Sequence, residues 1–161
     1  MGRQWSLEES AVVDAPPAVV YRLVSDLRNM GRWSPECRSV WVLRPPLRAG
    51  SRFIGFNRRG PFVWPTLGRV ALMRTNSEFV FDIGVFGLPI ARWGYRFEPE
   101  GSGTRITEFW QDLRTTGRRA RVADLLGTAF AGTNPARRVA LNRSGMRTTL
   151  ERIARAATGT T

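Results

Sequence analysis

The chain contains no histidine, no lysine and a single cysteine, Cys37. That inventory excludes a histidine-based triad, a zinc site and an internal disulfide. Carboxylates, tyrosine, arginine and water remain for any chemistry. The best-placed pair is Glu108 and Tyr95, because a turn centred on Gly101-Ser102 sets a hairpin register that makes them face each other. The same register pairs Phe97 with Ile106, Trp93 with Trp110 and Ala91 with Asp112 on one face, and Glu98 with Arg105, Arg96 with Thr107 and Arg92 with Gln111 on the other. The aromatic face must be the buried one, so Glu108 and Asp112 are carried inward with it. A buried carboxylate is costly unless it is paired or serves a ligand. In apolar surroundings its pKa rises, which lets Glu108 act as a general acid or bind a ligand hydroxyl. The structural alternative is a plain hydrogen bond from Tyr95 to Glu108 or an ion pair with an arginine. Asp112, Asn142 and Asn57 are the further inward polar candidates. Cys37 has no histidine to activate it and reads as a small core residue rather than a nucleophile.

The elements that must position these groups follow from periodicity. Pro135 to Ala157 is the one long helix, with Val139, Asn142, Met146, Thr149, Leu150, Ile153 and Ala157 on one face and Arg137, Arg147, Arg152 and Arg155 elsewhere. Asn134 and Pro135 supply its start, Thr158-Gly159 its stop. Trp5 to Val13 alternates and predicts a first strand. Asp14-Ala-Pro-Pro17 starts a short helix carrying Val20, Leu23 and Val24, with Asp14 near its cap; a second helical piece over Asp26 to Arg32 leads into Trp33-Ser34-Pro35. Six strands follow, Cys37 to Leu43, Ser51 to Asn57, Phe62 to Met73, Glu78 to Ile83, Ala91 to Glu98 and Thr104 to Leu113, separated by Gly, Pro and Asn turn signals. Pro65 demotes part of its strand to an edge or a bulge. The pattern is α+β: a seven-stranded curved antiparallel sheet around a long C-terminal helix, with two short helices between strands 1 and 2. Gly117 to Arg121 and Val122 to Thr133 read as a short helix or lid.

This order is the helix-grip arrangement, and the chain resembles the SRPBCC superfamily of START-like proteins, in its polyketide cyclase/dehydratase branch. The resemblance is carried by Val13-Asp-Ala-Pro-Pro17 with Val20-Tyr21, by Trp33-Ser34-Pro35, by Gly103-Thr104-Arg105-Ile106-Thr107-Glu108, and by Asn142-Arg-Ser-Gly-Met146. Their order and spacing make the match, and it spans nearly the whole chain as a single domain, residues 1–161. It implies a cavity between sheet and helix. Phe53, Trp64, Phe81, Trp93, Tyr95, Trp110 and Met146 would line it, with Trp33 at the helical end; the alternative for each is simple core filling. The apolar connection Val85-Phe-Gly-Leu-Pro89 is the expected mouth, or else packs on a neighbouring loop.

Three functional readings follow. The first is binding of a small apolar or aromatic ligand, lipid or polyketide-like, inside the cavity. The second is a cyclase or dehydratase using Glu108 as acid/base, with Tyr95 and an arginine orienting carbonyls. The third works through charge. The net charge of +12 is carried wholly by arginine, and residues 114 to 155 hold ten arginines against Asp124 and Glu151. Arg118, Arg119, Arg121, Arg137 and Arg138 form its densest cluster, although such usage also matches the codon bias of a GC-rich genome. That segment has one aromatic, Phe130, so stacking platforms for single-stranded nucleic acid are missing. Weak contact of Val122 to Thr133 with an anionic membrane surface is the preferred version, and nucleic acid is disfavoured. No cofactor or metal is called for. Neither a membrane span nor a signal peptide is legible, so the expected location is the cytoplasm.

Overall fold

A computed structural model describes residues 6–114, 118, 121, 122, 125 and 134–159. The chain runs β1 (Ser6–Val13), α1 (Pro17–Ser25), a 3-10 turn (Leu27–Asn29), α2 (Met30–Trp33), β2 (Cys37–Val42), β3 (Arg52–Arg59), β4 (Phe62–Arg74), β5 (Glu78–Val85), β6 (Leu88–Glu100), β7 (Gly103–Asp112) and α3 (Pro135–Thr158). The strands form one seven-stranded antiparallel sheet in the order β1-β7-β6-β5-β4-β3-β2. Its concave face is gripped by α3, and the short helices fill the gap between β1 and β2. The α+β helix-grip expectation is thus the observed architecture.

The β6–β7 register is the one the turn dictates: Tyr95 faces Glu108, Trp93 faces Trp110 and Ala91 faces Asp112. Pro65 pairs with Phe56 on β3, whereas β5 joins β4 only from Leu67 onward. The nitrogen that cannot donate therefore lies on an overhang with no second neighbour, where a proline costs the ladder nothing. Helix α3 begins where Asn134 accepts a hydrogen bond from the Arg137 amide at 2.9 Å and ends at Gly159, whose φ of 69° is left-handed. Asn142, Met146, Thr149, Leu150 and Ile153 are buried beneath it. Complete burial of a side chain such as Ile153 stabilises the fold by roughly 1.5–3 kcal/mol. On the helix flank Arg143 and Arg147 reach Glu9 of β1 at 3.2 and 3.3 Å, tying the helix to the sheet edge.

The motifs behind the family resemblance meet in space. The Thr104 hydroxyl donates to the Ala15 carbonyl at 2.7 Å in a buried site, and a side chain at Gly103 would run into the Val13 carbonyl. Tyr21 packs edge-on against Phe97 with centroids 5.4 Å apart. Gly145 lies against Pro35, whose ring would be in ordinary van der Waals contact, at 3.5 Å, with a Cβ there.

Some local expectations need correction. Asp14 does not cap α1: Pro16 holds that position and makes no side-chain bond, and Pro17 starts the helix. The second helical piece divides, because Asp26 caps the 3-10 turn through the Arg28 amide at 3.2 Å and α2 follows as a single turn. Strand β6 starts at Leu88 rather than Ala91, since Phe86 and Gly87, with φ of 51° and 75°, make a two-residue turn and let Val85 pair with Leu88. Trp5 lies outside the described residues, as does most of 117–133.

Candidate functional site

Between sheet and helix lies a cavity of about 390 Å³. Every strand from β2 to β7 contributes to its wall, the helix roofs it with Leu141, Asn142, Met146 and Thr149, and Leu27 and Met30 close one side. Small residues lie on its sheet wall. Gly55 and Thr66 face each other across β3 and β4, and both are buried. Next along, Phe53 faces Gly68, and its ring occupies the space a Cβ at Gly68 would need. Phe53 therefore lies flat on the sheet, edge-on to Phe81 at 5.6 Å, instead of standing into the cavity.

The floor holds the chemical group. Tyr95 and Glu108 are 1% and 3% exposed, and the tyrosine hydroxyl donates to Glu108 Oε1 at 3.0 Å. Burial pushes the Glu108 carboxyl up to about 8, with the Tyr95 hydrogen bond holding it back only in part. Burial first, then the neighbouring carboxylate, pushes the Tyr95 hydroxyl well up, so it stays protonated. Glu108 Oε2 is buried and has no hydrogen-bond partner among the described residues. Near neutral pH the cavity wall thus holds a mostly uncharged carboxylic acid, a group that can donate to a carbonyl or hydroxyl oxygen. Cys37 is also on the wall; burial raises its thiol to about 11, and its S–H points to the Ser39 carbonyl at 3.6 Å, so it is no nucleophile at neutral pH.

Nine of the twelve expected site residues line the cavity: Phe53, Asn57, Trp64, Phe81, Trp93, Tyr95, Glu108, Asn142 and Met146. The Asn57 amide is committed within the sheet, donating to the Trp64 carbonyl at 3.3 Å and the Thr66 hydroxyl at 3.2 Å. Trp33, Trp110 and Asp112 are inward but lie elsewhere. Trp33, 1% exposed, belongs to the closed core, and Arg152 of α3 donates to its carbonyl at 3.3 Å. Trp110 packs with Leu7, Ala91 and Met146 under the start of α3. Asp112, two residues further along β7, is buried against Arg114, which donates its amide, Nε and Nη2 at 2.9, 2.8 and 2.7 Å. The Val85–Pro89 connection is a tight turn that contributes nothing to the cavity wall.

The mouth lies instead where Glu36, the β3–β4 turn and the first turns of α3 meet. Arg138 clasps Glu36 with both terminal nitrogens, Nη1 at 3.0 Å, and Arg59 Nε stands 3.6 Å from the same carboxylate. Sequence analysis places Arg138 only in the basic cluster and singles out neither Glu36 nor Arg59, although two signals point inward to Arg59 and Arg138. Period two carries the inward stripe of β3 from Phe53, Gly55 and Asn57 to Arg59, and a step of four carries the helix stripe from Met146 and Asn142 back to Arg138. Of the arginine cluster, Arg118, Arg121 and Arg137 are exposed, Arg119 lies outside the described residues, and Arg138 is turned inward to Glu36. Val122 and Leu125 are exposed, while the rest of 122–133 lies outside the described residues. Among the described residues no helix is long and apolar enough to cross a membrane.

A curved antiparallel sheet closed by one long C-terminal helix over an internal cavity defines the class of helix-grip proteins. Within it, the model of the family described as "Polyketide cyclase / dehydrase and lipid transport" matches residues 4–158, and the chain belongs to that family. A polyketide-cyclase-like protein of Corynebacterium glutamicum is 27% identical, with 97% of this chain and 93% of that one covered and a TM-score of 0.64. The di-domain ARO/CYC BexL from the BE-7585A biosynthetic pathway is 19% identical over 95% of this chain and 50% of its own, with a TM-score of 0.67. A protein of Thermus thermophilus is similar in fold at 17% identity, covering 96% and 97%, with a TM-score of 0.65. No curated protein matches the sequence.

Proposed function

We propose that the protein binds a small, largely apolar or aromatic molecule in the cavity between sheet and helix. The observation that carries this reading is the cavity itself, walled by Phe53, Trp64, Phe81 and Trp93, with the buried Glu108 in its wall and Glu108 Oε2 without a hydrogen-bond partner among the described residues. Leaving such a group unsatisfied costs about 1–3 kcal/mol, a cost that a ligand oxygen would remove. The volume of about 390 Å³ falls in the range used by small-molecule sites, roughly 300–1,000 Å³. The family description, which names lipid transport, supports the same reading. Native mass spectrometry and thermal-shift screening against lipids and polycyclic aromatics test it. The expected result is one-to-one complexes and a raised melting temperature for some members of the panel; a panel without any such response would remove the reading.

A second reading is favoured by the same group's chemistry. A carboxylic acid whose pKa is about 8 is matched to proton donation near neutral pH, so Glu108 would serve a cyclase or dehydratase as general acid, oriented by Tyr95. Glu108→Gln keeps the shape and removes the proton. With a polyketide-like substrate, turnover should fall by about 10²- to 10⁴-fold while binding persists. Unchanged turnover in that variant would end the catalytic assignment and leave binding alone.

A further inference from the structure

The rim of the cavity has a charge character that its interior lacks. Among the described residues there, Arg38, Arg58, Arg59 and Arg138 stand with one acidic residue, Glu36. Arg138 is held between the Trp64 ring, 5.7 Å from its guanidinium carbon, and the Glu36 carboxylate. Both members of that ion pair remain partly open to solvent, at 24% and 21% of their side-chain surface. The guanidinium fork thus sits at the junction of the aromatic interior and water, already bound in bidentate fashion to a carboxylate. Glu36 precedes β2 and Arg138 lies in the first turn of α3, so the pair spans the opening. Glu108, on the cavity wall, carries an oxygen without a hydrogen-bond partner among the described residues.

We propose that the cavity selects amphiphilic organic monoanions, the acid group of the ligand taking the place of the Glu36 carboxylate on Arg138 while its apolar body lies against Trp64, Phe53 and Trp93. This rests on the cavity-binding reading and narrows it. Carboxylate, sulfonate and phosphate share the planar-fork or multi-oxygen chemistry that arginine recognises. An acceptor such as a carbonyl at the far end of the ligand would meet Glu108. Glu36 acts as an internal counterion: it pairs with Arg138 and competes with any acid that enters.

Two fluorescent probes of one skeleton test the idea, 1-anilinonaphthalene-8-sulfonate and its uncharged parent N-phenyl-1-naphthylamine. Titrated into the full chain at low salt, the sulfonate should bind at least fivefold more tightly than the parent, and excess parent should displace it. Arg138→Gln should reduce the ratio of the two affinities to near one. Glu36→Gln, which removes the competitor, should increase that ratio, and this opposite sign is not expected from a variant that merely loosens the fold. Arg137→Gln removes an exposed charge one residue away and should leave the ratio as in the wild type. If both probes bind and compete with equal affinity, the anion proposal is overturned and the cavity reading stands. The anion proposal is equally overturned if Arg137→Gln lowers the ratio as much as Arg138→Gln, or if excess parent fails to displace the sulfonate. If neither probe binds, the cavity reading falls as well.

Discussion

Replacing Glu108 by Gln should change how stability depends on pH more than it changes stability at any one pH. In the folded chain the carboxyl titrates near 8, against an ordinary value of 4.5. Between those values the folded protein retains a proton that the unfolded chain has released, so stability falls as pH rises through the window and levels off above it. Each unit of separation is worth about 1.4 kcal/mol, which puts the whole loss on the order of 5 kcal/mol. Gln at this position still accepts the Tyr95 hydroxyl through its carbonyl and carries no titrating proton. Urea unfolding followed by tryptophan fluorescence at pH 5.5, 6.5, 7.5 and 8.5 reads the effect directly. The stability of the wild type minus that of the variant should drop by roughly 3 kcal/mol from pH 5.5 to 7.5 and then flatten. Other carboxylates cancel in the difference, and so does Cys37, the other neutral acid on the wall, because both proteins carry it. A difference that stays constant to within a few tenths of a kcal/mol would refute the assignment of a neutral carboxyl to the cavity floor.

Three further outcomes are expected. Arg114→Met removes the guanidinium bonds to the buried Asp112 carboxylate and should cost about 3–5 kcal/mol in urea unfolding, with a smaller cost when Asp112→Asn is added. Ile153→Ala, at a position with no exposed surface on the inner face of α3, should cost about 2–5 kcal/mol in the same assay. Cys37 should react with a thiol-specific disulfide reagent at pH 7.5 about 100-fold more slowly in the folded protein than in urea, because burial lifts its thiol to about 11; equal rates would contradict that.

The β6–β7 hairpin was readable to the residue because one turn fixes the register and the register fixes the face, and Glu108 came with it. The inner face of α3 was equally legible, from Asn142 through Ile153, since its cap, proline and terminal glycine bound a single period. Position along a face is a different matter. Trp110 and Asp112 obey the same alternation as Glu108, yet Met146 covers one and Arg114 neutralises the other. Nothing local distinguishes a wall residue from a core residue two places along the strand. Glu36 and Arg138 are 102 residues apart, and their pairing is set by where the helix lands on the sheet, which no periodicity encodes. The Val85–Pro89 connection misled because its apolar composition resembles a mouth, whereas the left-handed backbone at Phe86 and Gly87 makes it a tight turn.

The pairing of Phe53 with Gly68 bears on how such a protein can diversify. Gly68 is absent from the wall of the cavity, yet the position of the Phe53 ring depends on the missing side chain there. An alanine would force the ring to move, and because the sheet lies beneath it, the open direction is into the void. One codon change could therefore shrink the chamber without altering any residue that touches its contents. Lineages of this fold can retune the size of what they accept from behind the wall, and a comparison restricted to contacting residues would record two such pockets as identical.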